Sequence, residues 1–560
     1  MDSEQRDLTL DSTALTLGGY PAKTCPRAVH NDHVSGLTRP APSPARQLLI
    51  DRGREFESRV GELFAAQDGV RVFADETWAA RTEQTVDLMR QGTPVIVNGL
   101  LPSIDGRSGA PDLLVAVADG YVPVDIKSHK ALKKATKGNA RVSRLSDAAT
   151  VTELAGTSEL GNHWVADTFQ LVHYSRMLQS LGHASGDLRA GIIGRDNLTE
   201  QFGDELGIVW YQLDELQVPT YSKTSESHRT KRDLIENYDH EFGFRMEVAK
   251  AAASGGELVL PIGTDACVRC DWTSVCKEYA GPDDPSFAIN IGRLSQREWL
   301  FLYEHGGRTL QGLAEIDVAS LAEEFTKHAG SSGNPIARLT NIVRRARMTT
   351  AKVSFEPLSN WGEVEIPAAD VEIDFDIEWD SSELIYQWGL SVRTNQGKAE
   401  YVPGLVDFGA FDEAAEARLA DKFTRALQGI LDRAKSNDQS VAIYHWSHPE
   451  VSRTKKFAAA HGLITGESRN LDLCKWYTGN FFPLDGASLK TVAPLFGFAW
   501  DVPEEEAGGF NSLQQIEEAR RDGPDSAAAA WLVNYNRSDV EAQAAIRDGL
   551  LVEKDRNLGK

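Results

Sequence analysis

The chain is 560 residues long, and its 59 Lys and Arg against 82 Asp and Glu leave a formal charge of −23. At roughly 100–200 residues per domain, this length predicts two to four domains, each able to bury a core. The charge excludes a generally basic coating protein but not a nucleic-acid ligand, because such binding depends on local basic stripes.

A composition of 41% apolar and 25% charged residues is that of a globular chain, not a disordered one. No run approaches the roughly 18 apolar residues of a membrane helix, so no membrane partner is expected. The N-terminal stretch is acidic and polar where a secretory signal would be basic and then apolar. Five cysteines in so long a chain suit a reducing compartment better than a disulfide scaffold, and a cytoplasmic location is expected.

In chain order, residues 51–66 carry apolar positions near helical spacing. Strand-like runs at 112–118 and 121–126 flank Asp119-Gly120, a strong hairpin signal. Residues 162–182 predict one long amphipathic helix, and the Gly-Pro-Asp-Asp-Pro run at 281–285 marks a boundary. Residues 286–350 look helical, with turns at 306–316 and 330–335, and the part from 294 to 317 resembles a helix–hairpin–helix element. A strand-rich region opens near Ala351, with runs at 371–379, 384–392 and 402–408 in the order of an antiparallel meander. One further strand is expected at 440–444 and a final helix at 535–550.

Three constellations carry chemistry. In the first, Asp112 opens one strand of the hairpin while Asp125 and Lys127 close the other. Residues two apart on a strand share a face, so two carboxylates and an ammonium meet at one sheet edge. Such a group can hold a divalent cation and offset charge developing on phosphate. Gly53 and Glu57 lie upstream on a helix, and Gln170 and Tyr174 stand one helical turn apart downstream. An exposed hairpin with an ordinary ion pair is the plainer reading of Asp-x-Lys alone. The ordered set Gly53…Glu57, Gly109-Ala-Pro-Asp112, Asp125-Ile-Lys127 and Gln170-x-x-x-Tyr174 resembles the RecB-like branch of the PD-(D/E)xK nucleases. Glu57 stands where many members carry His, and a carboxylate can serve Mg²⁺ or Mn²⁺ equally well.

The second constellation is Cys267-x-x-Cys270 followed by Cys276, with Cys25 the natural fourth ligand and Cys474 a core residue. One cysteine ahead of the nuclease motifs and three after them resembles the iron–sulfur staple of AddB and of the CRISPR-associated RecB-like exonucleases. That resemblance implies a [4Fe–4S] cluster; a structural zinc site is the alternative. Either metal would tie the ends of the domain together. Two basic groups, one running from Lys127 through Lys130, Lys133, Lys134, Lys137 and Arg141 to Arg144, the other Lys223, Arg229, Lys231 and Arg232, read as solvated faces or as phosphate tracks.

In the third, Glu372, Asp374, Asp376 and Glu378 share strand parity, so they mark either a solvated edge or a metal site, with Val371, Ile373, Phe375 and Ile377 on the buried side. Phe-Asp-Ile-Glu at 375–378 and Tyr535-x-x-x-Asp539 resemble the first and last motifs of RNase H-like exonucleases of the Asp-Glu-Asp-Asp group. By that resemblance Asp376, Glu378 and Asp539 hold metal and Tyr535 positions water, with Glu450 or Asp472 as the middle acid. Ser-Leu-Lys-Thr-Val-Ala-Pro-Leu-Phe-Gly-Phe at 488–498 resembles a helix of RNase H-like domains fused to RecB-like nucleases.

The expectation is α/β throughout: a PD-(D/E)xK restriction-endonuclease-like domain (1–285), a helical linker (286–350) and an RNase H-like domain (351–560). The resemblances imply a metal-dependent nuclease acting on single-stranded DNA or DNA ends. RNA processing by the C-terminal domain and a catalytically degenerate nucleic-acid-binding scaffold are the alternatives. No Gly-x4-Gly-Lys-(Ser/Thr) motor motif occurs, so a helicase would have to be a partner.

Overall fold

The computed structural model describes residues 15–558 apart from 74–76, 204–205, 223, 226–228, 291, 330–333, 381, 410, 467–469 and 503–508. Lys223 and most of the 330–335 turn therefore lie outside the described residues. The chain divides into two units, Met1–Ile342 and Val343–Lys560. Residues 286–342 belong to the first unit, and the division falls inside the Pro335–Ala351 helix. Among the described residues, no helix is long and apolar enough to cross a membrane.

The first unit is built on an eight-stranded sheet, in the order Val70–Val72, Val95–Val97, Leu113–Val117, Gly120–Ile126, Arg189–Ile193, Gly207–Gln212, Lys133–Arg144, Asp147–Ser158. The expected hairpin forms as an antiparallel pair with Leu113 opposite Val124. Gly120–Ile126 then pairs in parallel with Arg189–Ile193, and such a pair needs a crossover. The Trp164–Ser180 helix supplies it and is buried along most of its length. The Pro44–Ala65 helix, capped by Ser43, packs Phe56, Val60 and Phe64 into the core beneath the same strands.

The second unit holds a five-stranded sheet in the order Glu400–Tyr401, Ile385–Thr394, Val371–Trp379, Val441–His445, Asn470–Asp472. Val371–Trp379 is central, antiparallel to one neighbour and parallel to the other. Its apolar parity packs with Leu419, Phe423 and Leu427 of the Glu413–Ser436 helix, and its acidic parity faces the Ala527–Leu558 helix.

Several expectations change. The third meander strand shrinks to Glu400–Tyr401 plus one bridge from Gln387 to Val406, because Pro403 and Gly404 break the ladder after Tyr401. Ala351 ends a helix, and the first strand of this unit is Phe355–Pro357. Leu310–Glu315 is a helix capped by Thr309, not a turn; the turn is confined to the residues around Gly306 and Gly307. The last helix begins at Ala527 and ends at Leu558, beyond both expected limits. The acidic strand is neither an exposed edge nor uniformly a metal site. Glu372 and Asp374 are each 1% exposed and are neutralised by arginines.

Candidate active site

The Ala527–Leu558 helix reads the acidic face of the central strand residue by residue. Arg547 donates to Asp374 at 2.6 and 2.9 Å, and Arg393, directly across the ladder from Glu372, donates to it at 2.7 Å. Gln543 donates to the Phe375 carbonyl at 3.1 Å, and Asn536 donates to Asp376 Oδ2 at 2.8 Å. Asn536, Gln543 and Arg547 stand seven and four residues apart, which keeps them on one face of the helix. The helix comes this close because Gly389, opposite Asp376, has no side chain: a Cβ there would stand 2.4 Å from Asn536 Oδ1.

At the end of this face, Asp376, Glu378 and Asp539 bring ligand oxygens within 4.8 Å of one another. Among the described residues it is the one group of three or more metal-ligating side chains that meets this spacing. Burial, with Asp539 and the other acids adding, pushes Asp376 well above the usual carboxylate range. Burial and Asp539 push Glu378 up to about 8. Burial raises Asp539 as well, although Lys490 opposes it. Carboxylates held this way call for a cation. Lys490 supplies one charge: its ammonium contacts Asp539 and sits 4.1 and 4.2 Å from the ring centroids of Trp500 and Tyr535. Trp500 Nε1 donates to the same Asp539 oxygen at 2.7 Å. The donor set fits a divalent cation.

Of the two middle-acid candidates, Glu450 faces the trio. Burial raises it to about 7, with Asp472 and Asp539 contributing, and it in turn raises Asp376 and Glu378. Asp472 caps the Leu473–Asn480 helix, accepting from Lys475 N at 2.9 Å, and borders Glu450. Tyr535 stacks on Trp531 at 4.9 Å. Lys490, Trp500 and Asn536 were not foreseen. The Ser-Leu-Lys run at 488–490 was the available signal for Lys490.

Residues 373–551 match the RNase_H superfamily family model. No curated protein and no solved structure matches the chain. The matched segment contains Asp376, Glu378, Glu450, Asp472, Tyr535 and Asp539. An RNase H-like domain is in general a metal-dependent nuclease that uses cations such as Mg²⁺, and its substrate is nucleic acid.

In the first unit the expected group also converges. Asp112 Oδ2 accepts from Ile126 N at 2.6 Å, and burial beside Asp125 holds the Asp112 carboxyl well above its usual range. Lys127 contacts Asp125 and donates to Gln170 Oε1 at 3.1 Å; Gln170 Nε2 donates to Tyr174 at 3.1 Å. Burial pulls the Lys127 ammonium down, but Asp125, Tyr20 and Asp112 more than restore it. Glu57 is solvent-exposed on its helix, yet senses both Lys127 and Asp125. Gly109 has a steric reason: a Cβ would stand 2.6 Å from the Tyr174 ring. Gly53 has none, as nothing lies within 4 Å. Lys23, which the motif reading missed, donates to Gln170 Oε1 at 2.8 Å, and burial with Lys127 lowers it to about 8.

The four cysteines are neighbours too. Cys25 precedes the Pro26–His33 helix, Cys267 and Cys270 sit on the turn at Asp265–Arg269 and its end, and Cys276 is on the Thr273–Ala280 helix. Burial raises Cys270, with Cys25 and Cys267 adding, and raises Cys276 to about 11, with Cys25 and Cys270 adding. Two sulfurs accept N–H groups, Cys276 from Asn31 at 3.5 Å and Cys267 from Thr264 N at 3.4 Å. Cys474 packs at the border of the core of the second unit. In the basic groups, Lys133, Lys134 and Lys137 are exposed on one strand of the long hairpin, and Arg229, Lys231 and Arg232 share a shorter strand.

Proposed function

We propose that the chain is a two-site, metal-dependent nuclease that processes single-stranded DNA or DNA ends in repair or foreign-DNA processing. The observation that carries the reading is the closeness of Asp376, Glu378 and Asp539 inside the RNase H-like match. A divalent cation bound there would activate water and offset the charge on the scissile phosphate. Asp376, Glu378 and Asp539 would bind it, with Glu450 as the fourth acid and Asp472 behind it. Tyr535 would position the attacking water, and Lys490 would orient the attacked phosphate. Asn536 holds the Asp376 carboxylate in place.

The first unit contributes a RecB-like site in this reading. Asp112 and Asp125 bind the cation with Glu57 assisting, Lys127 stabilises the charge on the phosphate or orients water, and Gln170 and Tyr174 position the strand. Supporting it are the Lys127–Gln170–Tyr174 chain of hydrogen bonds and the fit of Gly109 against Tyr174. Cys25, Cys267, Cys270 and Cys276 would hold a [4Fe–4S] cluster. A structural zinc site held by the same four thiolates is the alternative. Any unwinding of duplex would come from a helicase partner.

In a second reading the C-terminal site alone cuts, RNA included. It is favoured by the fact that only that site, among the described residues, gathers three metal-ligating groups. Cleavage of matched single-stranded DNA and RNA with Mg²⁺ or Mn²⁺, by protein purified without oxygen, separates the readings. Loss of DNA cleavage in Lys127→Ala alone makes the first site the engine. Loss in Asp376→Ala alone, or cleavage of RNA only, makes it the second. No cleavage by intact protein leaves a nucleic-acid-binding scaffold.

A further inference from the structure

A cleft of about 600 Å³ in the first unit shares a wall with the Lys127 group: Lys23, which donates to Gln170, belongs to both. Among the described residues, three cations line the cleft, Lys23, Arg232 and Arg297, against a single carboxylate, Glu241, which Arg245 already engages at 2.7 Å. That is the reverse of the balance of the whole chain, −23. A local cationic cleft in an acidic protein concentrates a polyanion where the net charge would repel it.

The cleft also offers a stacking surface. Tyr221 ends the Gln217–Tyr221 strand, and its hydroxyl donates to the Lys327 carbonyl at 2.9 Å. The Arg297 guanidinium lies 3.6 Å from the Tyr221 ring centroid. A phenol ring pinned at its hydroxyl and stacked with a guanidinium is a flat, stiff, cationic platform, suited to any nucleobase. Arg232 is exposed on the partner strand, Arg229–Asp233. Phosphate-binding groups and a base platform thus lie along one cleft that ends at Lys23.

We infer that this cleft holds a single strand of DNA entering the first site, with phosphates at Arg297, Arg232 and Lys23 and a base stacked at Tyr221. The direction of entry rests on the nuclease reading of that site; the binding does not. Lys23 is then the residue at which the strand passes from the cleft to Lys127.

The test measures binding of fluorescent oligo-dT and oligo-rU of about twenty nucleotides, longer than most single-strand sites. It uses the full-length protein with Ca²⁺ in place of Mg²⁺, over a salt series, so that no cleavage is required. Arg232→Glu combined with Arg297→Glu is expected to weaken dT binding roughly tenfold or more. It should also flatten the slope of log K against log salt by about 1.4, the share of two phosphate contacts on a single strand. An oligomer carrying iodouracil should crosslink to the peptide containing Tyr221, retain that adduct in Tyr221→Phe and lose it in Tyr221→Ala. Affinity and slope unchanged in the double variant, or adducts confined to other segments, would overturn the inference. Tighter binding of rU than of dT would overturn the choice of DNA. Intact binding and crosslinking, with no cleavage once Mg²⁺ or Mn²⁺ replaces Ca²⁺, sinks the nuclease reading of the site and leaves the cleft standing.

Discussion

Two glycines in one motif set behave oppositely, and the reason is local. Gly109 admits the Tyr174 ring, whereas Gly53 lies in the interior of a helix with open space beside it. Gly109→Ala should cost about 1–3 kcal/mol through overpacking and shift Tyr174 off Gln170. Gly53→Ala should raise stability by roughly 0.5–1 kcal/mol, because alanine is the better helix former. Urea unfolding of the two variants checks both signs; equal effects would contradict the assigned packing. Glu57, four residues after Gly53, is the most exposed member of the first site. Its substitution is therefore expected to touch cation affinity and not the fold.

At the scale of elements, the central strand and the last helix of the second unit form one device. The strand alternates between apolar and acidic faces, and that alternation was legible in the residues at 371–378. So were the hairpin around Asp119-Gly120 and the long helix through Gln170, since each rests on local periodicity. The pairing of Glu372 and Asp374 with Arg393 and Arg547 was not. Asn536, Asp539, Gln543 and Arg547 form a polar stripe at helical spacing, which ordinarily marks a solvated face. Here that stripe is buried against carboxylates 160 or more residues away in sequence, a relation that no local pattern carries. Lys23 escaped notice for the same reason; Lys490 had a local signal in the run at 488–490, but its contact with Asp539 had none. Arg547 is 1% exposed, so Arg547→Met strands Asp374 without its partner. The expected loss is about 3–5 kcal/mol in chemical denaturation, partly recovered when Asp374→Leu is added. A loss below about 1 kcal/mol would mean that the pair is solvated.

For the whole molecule, two chemical conditions should govern stability. Without divalent cations, Glu378 at about 8 and Glu450 at about 7 bind more protons folded than unfolded. Their contribution is therefore present below about pH 4.5 and lost as pH rises through 7 and 8. Melting temperature in a chelator should fall across that window, and added Mg²⁺ or Mn²⁺ should flatten the fall; a rise with pH would refute the burial of these acids. The cysteine group sets the other condition. Cys25→Ser or Cys276→Ser should lower bound iron or zinc and open the 15–285 region to proteases while leaving the 343–560 fragment resistant. Uniform digestion of both would deny the cysteines a local role. The alternation of the Val371–Trp379 strand has a last consequence, for how this protein can change. Deleting one residue near its start would slip the register, sending Asp374, Asp376 and Glu378 into the apolar layer and Phe375 and Ile377 toward Arg547. A lineage could trade these side chains one at a time, but it could not shorten the strand by one without losing core and chemistry in the same step.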